Sequence, residues 1–125
     1  MQTFKKNEKL CGKRDTDNLF LNGDSFFVNP FRIVFVKDDN INLLESLRLQ
    51  VVVPKKKIDL AVNRNKIKRH IREAFRKNKK LLISNLSSKN KKIDFALIYQ
   101  SNDLISYYII EKKIKEIFSR LSNSL

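Results

Sequence analysis

The stretch AVNRNKIKRHIREAFRKNKK, from Ala61 to Lys80, holds nine lysines and arginines against one acid. Its apolar residues recur at helical spacing, which predicts an amphipathic helix from about Leu60 to Lys80 with Asp59 as its N-cap. On a wheel of about 100° per residue, the apolar arc that would dock on a sheet contains Leu60, Ile67, Ile71, Ala74 and Phe75. The stretch therefore predicts a helix with one buried face and one strongly basic face.

The cations of this helix fall together on an adjoining arc. Its core is an i, i+4 ladder of Arg64, Lys68, Arg72 and Arg76. Like charges at this spacing repel by roughly a few tenths of a kcal/mol per pair in an isolated helix. A planar guanidinium suits phosphate recognition, so the pattern favours a phosphate-binding surface over a merely solvated charged face. The candidate nucleic-acid-binding residues, including the basic loop before the helix, are Arg64, Asn65, Lys66, Lys68, Arg69, Arg72, Arg76, Lys55, Lys56 and Lys57.

The whole chain also carries an excess of positive charge. The 125 residues, a length typical of one domain, carry 27 Lys+Arg against 13 Asp+Glu, a net charge of +14. The window from Lys55 to Lys80 holds 12 of these cations and two acids, which is +10 of the total. Such focused charge indicates a polyanionic partner, and nucleic acid is favoured because the chain lacks the exposed apolar face that membrane-surface binding needs.

The sequence predicts a cytoplasmic protein. No apolar run approaches the ~18 residues of a membrane span. The first ten residues, which we expect to be flexible, lack the apolar core of a secretory signal. Cys11 is the only cysteine, so no disulfide framework exists within the chain.

Secondary structure before the basic helix begins with a short helix over Lys13–Asn22 that stops at Gly23. The segment Ser25–Val36 is rich in aromatic and β-branched residues, which predicts strand. Pro30 is expected to split this segment into a lead-in and a main strand, since proline cannot donate to a central ladder. A hairpin turn over Lys37–Ser46 should then lead into the next strand.

That next strand is predicted over Leu47–Val53. After the basic helix, Leu82–Lys92 is expected to form a loop, either directly or after one extra turn of helix, and Ile93–Tyr99 is typical of a buried strand. The last helix should span Tyr107–Leu121 with Ser106 as its N-cap. The order of elements predicts an α+β domain, in which a mixed sheet packs against helices.

The residues of the chain do not assemble an obvious catalytic centre. His70 is the only histidine, which excludes a paired-histidine nuclease, and its place beside the apolar arc favours a packing or solvated role. No Cys/His cluster could bind zinc, and Asp38, Asp39 and Asp94 do not form a two-metal carboxylate set. We therefore predict no catalytic residue and no metal ligand in this chain.

The stretch from Ala61 to Phe75 closely resembles the signature of the protein subunit of bacterial ribonuclease P. The family carries an arginine-asparagine-arginine motif followed by a basic helix, and here the motif is Arg64-Asn65-Lys66. The segment LFLNGDSF, Leu19 to Phe26, is similar to the family's first helix, glycine turn and strand entry. The resemblance is strongest in the helix and extends more weakly over most of the chain.

The resemblance implies a subunit that partners a catalytic RNA, one protein per RNA, in removing the 5′ leader of precursor tRNA. The RNA would perform the hydrolysis with Mg²⁺ that it mainly holds itself. The alternative is a ribosomal or other structural RNA-binding protein without a processing role. The implied fold has a four-stranded mixed sheet and three helices in the order αβββαβα, with a left-handed βαβ crossover, as in the second domain of a ribosomal protein.

By the same resemblance, a cleft between the first helix and the sheet would hold the leader, and its candidate residues are Phe20, Arg32 and Val34. Base stacking on an aromatic side chain contributes about 1–3 kcal/mol, but Phe20 could equally belong to the core. Core positions are expected for Phe27, Phe31 and Phe35. Three positions depart from the family's pattern, namely Thr16, Pro54 and Lys66.

Overall fold

The computed structural model describes residues 13–40 and 46–125, with side chains from Thr16 onward. The predicted flexible segment 1–10, Cys11 and part of the predicted turn, 41–45, lie outside the described residues. The elements are α1 (Lys13–Asn22), β1 (Asp24–Val28), β2 (Phe31–Asp39), β3 (Leu47–Val52), α2 (Ala61–Ser88), β4 (Lys91–Tyr99) and α3 (Tyr107–Asn123). This order confirms the predicted αβββαβα arrangement of a four-stranded mixed sheet with three helices.

The strands lie in the order β1-β2-β4-β3. β1 and β4 both run antiparallel to β2, whereas β3 and β4 are parallel and are joined through α2. The predicted hairpin between β2 and β3 is wrong, because β4 lies between them. Phe95, Ala96 and Leu97 of β4 are fully buried, and a strand that is apolar on both sides belongs at the centre of a sheet. The left-handed sense of the crossover stays a prediction.

One face of the sheet, here called the core face, packs against α2 and α3. The predicted arc of α2 supplies Ile67, Ile71, Ala74 and Phe75, each at most 2% exposed. Phe75, Phe95 and Phe118 pack as an aromatic cluster with ring centroids 5.9–6.3 Å apart. Because large side chains from two helices and the sheet meet here, most of the hydrophobic stabilisation resides on this face.

Helix α2 differs from its prediction at both ends. It continues to Ser88 because Leu82 and Leu86 prolong its buried stripe and are 1% and 0% exposed, so the loop predicted from Leu82 is wrong. At the other end Leu60 is the N-cap without a side-chain cap bond, so Asp59 does not take this position. Leu60 itself is 58% exposed and does not belong to the docked arc.

The predicted N-cap of α3 is confirmed. Ser106 precedes the first residue of the helix, and its hydroxyl accepts a hydrogen bond from the backbone N–H of Ile109 at 3.3 Å. This bond satisfies one of the donors that the start of a helix leaves unpaired.

The opposite face of the sheet, here called the α1 face, is covered only in part. Leu19 of α1 packs with Val34 and Ala96 in a small buried cluster. At the end of α1 the backbone N–H of Gly23 donates to the Leu19 carbonyl at 2.9 Å. A Cβ at Gly23 would lie 2.3 Å from that carbonyl oxygen and 2.9 Å from Cγ1 of Val34. Only glycine therefore lets α1 approach the sheet this closely.

Candidate nucleic-acid interface

The polar residues of the predicted binding helix form a basic ridge along α2, which we define as Arg64, Asn65, Lys66, Lys68, Arg69, Arg72 and Arg76. Asn65, Lys66 and Arg69 are exposed, and the four members of the i, i+4 ladder are half-buried. Six cations and no acid belong to the ridge. Helix α3 contacts α2 through residues outside the ladder such as His70 and Asn78, and Tyr107 of α3 lies near Arg76 at the end of the ladder. The structure thus brings the predicted helical residues onto an accessible surface outside the core.

Arg64 fixes the basic loop that precedes α2. Its guanidinium donates hydrogen bonds to the carbonyls of Ile58 and Asp59 at 3.0 and 2.7 Å. The loop is closed by the backbone N–H groups of Lys57 and Ile58, which donate to the Pro54 carbonyl at 3.0 and 3.1 Å. Only the carbonyl of residue 54 is used in these bonds, so proline is compatible with this position. Arg64 therefore also has a positioning role that the sequence pattern did not reveal.

The same loop carries the other predicted cations of the interface. Lys55, Lys56 and Lys57 are all exposed in the turn that leads into α2. Because Arg64 ties this turn to the start of the helix, the three ammonium groups extend the positive surface beyond the first turn of the ridge. Together the loop and the ridge bring nine cations into the segment from Lys55 to Arg76.

Glu73 is the only acid within the basic helix up to Lys80, and it neutralises one member of the ladder. The Nε atom of Arg76 donates to the Glu73 carboxylate at 3.0 Å, and a second nitrogen completes a bidentate pair. This hydrogen bonding lowers the pKa of Glu73. The Glu73 carboxylate is therefore ionised at neutral pH, and the positive potential of the ridge is reduced at its Arg76 end.

His70 has a packing role, as its position on the helix predicted. Its ring is half-buried and lies edge-on to the ring of Tyr107, with centroids 5.5 Å apart. Burial lowers the pKa of His70, and the nearby charges of Lys66 and Arg69 lower it further. The imidazole is therefore neutral at pH 7 and adds no charge to the ridge.

The α1 face presents an accessible row of side chains across all four strands. In the register of the sheet Phe27 pairs with Arg32, Arg32 with Ile98, and Ile98 with Val52. Phe27 is 49% exposed, and Arg32 is exposed beside it. An aromatic side chain next to an arginine on an open sheet is a suitable surface for a single-stranded nucleic acid.

The core position predicted for Phe27 is wrong, whereas Phe31 and Phe35, at 0% and 8% exposed, are confirmed as core. Phe26 and Phe27 are adjacent, so one must face each side of the sheet. The pairing of Phe26 with Ile33 places Phe26 on the core face and leaves Phe27 on the α1 face. The signal was present in the alternation of β1, but its register with β2 was needed to assign the faces.

The other leader candidates differ in accessibility. Phe20 follows Leu19 on α1 and is 45% exposed, which excludes the core alternative for this side chain. Val34 is 3% exposed because it packs beneath Leu19. Its burial argues against the direct leader contact that the resemblance implied, whereas Phe20 and Arg32 remain accessible.

Two polar contacts occupy the part of the α1 face nearer β3. Arg48 forms a bidentate ion pair with Asp94, its cross-strand neighbour, at 2.8 and 2.7 Å. The hydroxyl of Thr16 on α1 lies 3.5 Å from the side-chain oxygen of Gln50. Within residues 13–40 and 46–125, no three His, Cys, Asp or Glu side chains form a group that could hold a metal ion.

A basic α+β domain with a cationic helix and an accessible aromatic on its sheet defines an RNA-binding protein. A family profile described as Ribonuclease P matches residues 4–122. The ribonuclease P protein component of Porphyromonas gingivalis is 30% identical over 120 residues, which cover 96% of this chain and 87% of that protein. Its counterpart from Petrotoga mobilis is 44% identical over 78 residues, 62% of each chain. The chain belongs to the ribonuclease P protein family.

The solved structures agree with this assignment. The RNase P protein from Thermotoga maritima superposes with a TM-score of 0.70 at 28% identity, over 90% of this chain and 96% of that chain. Membership confirms the interpretation as a protein subunit of ribonuclease P, an endoribonuclease of tRNA 5′ maturation, over the ribosomal or structural alternative. None of the helices in the described ranges is long and apolar enough to cross a membrane.

Proposed function

We propose that the basic ridge and the loop Lys55–Lys57 bind the catalytic RNA of ribonuclease P. The observation that carries this proposal is the concentration of charge, since +10 of the net +14 lies between Lys55 and Lys80. The ladder and its neighbours are held on one accessible side of α2 while the adjoining arc is buried in the core. Such a surface repels itself unless phosphates neutralise it, and neutralisation releases counterions that favour binding.

We further propose that the α1 face binds the single-stranded 5′ leader of precursor tRNA. Phe20 and Phe27 offer two aromatic surfaces. Arg32, on β2 beside Phe27, can contact a phosphate or a base. Stacking on each aromatic would contribute about 1–3 kcal/mol regardless of base identity. Thr16 stands at a position of α1 where the family's pattern can have an aromatic residue; its hydroxyl lies near Gln50 of β3, whereas Phe27 is on β1 at the other edge of the sheet.

The chemistry in this proposal belongs to the RNA, which would also hold most of the Mg²⁺. The described residues of the protein provide counter-charge and position rather than metal ligands. By lowering the repulsion between a catalytic RNA and a substrate RNA, the protein would reduce the Mg²⁺ concentration that cleavage requires. We propose one protein per catalytic RNA and a cytoplasmic location, with which the lone Cys11 is compatible.

A reconstituted cleavage assay tests the role of the ridge. The ridge variant Arg69→Gln/Arg72→Gln and the control Lys92→Gln/Lys113→Gln remove equal charge, but only the first pair lies on the ridge. With cognate RNA and precursor tRNA, the ridge variant should need more Mg²⁺ and should lower the salt slope of RNA binding by about 0.7–0.9 for each lost phosphate contact. The control should behave as the unmodified protein does.

Two results would contradict this proposal. The first is cleavage of precursor tRNA by the protein without any RNA subunit, because the proposal assigns the chemistry to the RNA. The second is a ridge variant that supports cleavage at low Mg²⁺ as well as the control does.

A further inference from the structure

A groove of about 760 Å³ runs between the C-terminal halves of α2 and α3. Lys77, Lys80 and Asn85 contribute to it from α2, and α3 contributes Lys115, Ser119 and Ser122. Leu82 and Phe118 also line it, but both are almost completely buried, at 1% and 6% exposed. Leu81, 73% exposed, lines it as well, so the accessible part of the groove combines polar side chains with apolar surface, and its base is closed by the core.

The groove is positively charged on both walls. Its lining residues include three lysines and neither aspartate nor glutamate. Glu111 lies on the same side of α3 nearer the helix N-terminus, where its carboxylate accepts hydrogen bonds from Asn78 at 3.1 Å and from Tyr107 at 3.3 Å. Both donors are uncharged and do not offset the charge of the carboxylate, so Glu111 opposes the lysines at the end of the groove near Asn78, where the lysines outnumber it three to one.

The groove and the ladder of the basic ridge lie on different flanks of α2. Arg72 belongs to the ladder, and Leu81, 73% exposed, lines the groove. These two residues are nine positions apart, which at about 100° per residue places them half a turn from one another around the helix. Lys80, four residues after Arg76, lies at the rim between the two surfaces, so the part of the groove lined by Lys77 and Leu81 is the part that an RNA strand on Arg72 reaches only by crossing over α2.

We propose that the α2–α3 groove binds a second segment of RNA backbone, separate from the segment that binds the basic ridge. This inference rests on the proposed function, since it takes an RNA partner as given. Lysines on two facing walls suit a phosphodiester strand that lies between the helices. The exposed hydroxyl of Ser119 can hydrogen-bond to phosphate oxygens or to ribose hydroxyls.

The groove should read the RNA backbone rather than its sequence. Phe118 is the aromatic residue of the lining, and at 6% exposed it offers no face for base stacking. The amide of Asn85 is 3.4 Å from the Ser122 hydroxyl, so these two polar groups link the walls instead of projecting as a base-specific pair. Contacts to phosphate and sugar position an RNA without selecting its bases.

The test compares the groove variant Lys77→Gln/Lys115→Gln with the control Lys92→Gln/Lys113→Gln. Lys77 and Lys115 are exposed, one on each wall, whereas neither control residue lines the groove. Unchanged thermal unfolding of both variants would verify that they fold. Binding to the catalytic RNA should show a salt slope reduced by about 1.4–1.8 for two lost phosphate contacts, with no change in the control.

Hydroxyl-radical footprinting of the catalytic RNA locates the second segment. The groove variant should lose protection over one stretch of RNA, and the ridge variant Arg69→Gln/Arg72→Gln should lose protection over a different stretch. Loss of the same stretch in both variants would overturn the proposal of a separate segment. A groove variant indistinguishable from the control in salt slope and footprint would overturn the groove as an RNA site.

These outcomes are distinct from a failure of the proposed function. If the unmodified protein neither binds the catalytic RNA nor stimulates cleavage, the proposed function itself is wrong. If the unmodified protein does both and only the groove variant is without effect, the inference about the groove fails alone.

Discussion

The two faces of the same sheet are used in opposite ways. On the core face, α2 and α3 cover the strands, and Phe31, Ile33 and Phe95 are completely buried. On the α1 face, one short helix buries Val34 and leaves Phe27 half exposed. Alternate residues of the same strands thus serve two purposes, since one set stabilises the domain and the other remains available for binding. Substitutions on the two faces should therefore have different consequences.

The largest effect is expected on the core face. Phe75→Ala removes a fully buried ring that packs against Phe95 and Phe118. The lost burial and the resulting cavity should lower the free energy of unfolding by about 3–5 kcal/mol. Urea denaturation measures this change, and Phe27→Ala on the other face should stay within about 0.5 kcal/mol. Equal losses of unfolding free energy in the two variants would contradict the proposed difference between the two faces.

The next effect concerns how α1 is held against the sheet. In Gly23→Ala the added methyl would overlap the Leu19 carbonyl and Val34, so α1 must shift. We expect a loss of about 1–3 kcal/mol, the usual cost of inserting a methyl group into a tightly packed site.

Chemical denaturation of Gly23→Ala beside Ser25→Ala checks this expectation. Ser25 is exposed on β1, so its substitution is the control for an alanine placed near the end of α1. If Gly23→Ala leaves the free energy of unfolding unchanged, α1 is not held closely on this face.

The sequence predicted the elements of the core face well because their signals are local. The apolar arc of α2 from Ile67 to Phe75 and the Ser106 cap each follow from residues within a few turns. The strand order could not be predicted in this way. A chain passing from β2 to β3 suggests a hairpin, whereas the insertion of β4 between them depends on burial of Ala96 and Phe95 by elements distant in sequence.

The candidate site likewise has one part that the local sequence predicts and another that depends on tertiary packing. The basic ridge was predictable from the spacing of its charges within one helix. The accessibility of Phe27 and the burial of Val34 were not, because both depend on the pairing of β1 with β2 and on where α1 packs. The Arg64 hydrogen bonds to the loop before α2 were also hidden, since a charge pattern does not distinguish a cation that binds RNA from one that positions backbone.

The α1 face is tested by leader binding. Phe27→Ala should weaken binding of leader-bearing precursor tRNA to the holoenzyme by about 1–3 kcal/mol, through loss of one stacking surface. Mature tRNA, which has no leader, should bind unchanged. If both rings contact the leader, Phe20→Ala should likewise weaken binding of the leader-bearing substrate and leave binding of mature tRNA unchanged.

The control for this measurement is Leu104→Ala, which removes an exposed apolar side chain outside the α1 face and should affect neither substrate. Equal weakening of precursor and mature tRNA by Phe27→Ala would show that this ring acts on folding or on the catalytic RNA. It would then be no part of a leader site.

The smallest effect is a pH dependence on the buried side of α2. Burial against Tyr107, together with Lys66 and Arg69, lowers the pKa of His70 from its ordinary 6.5, so the unfolded chain binds the proton more readily than the folded one. Stability must therefore rise as pH increases from below the lowered pKa through about 6.5. His70→Gln keeps a polar side chain that does not titrate in this range. Between about pH 5 and about pH 8, the unmodified protein should gain unfolding free energy relative to this variant in urea denaturation. A relative loss over the same interval would mean that the folded protein stabilises the charged imidazolium.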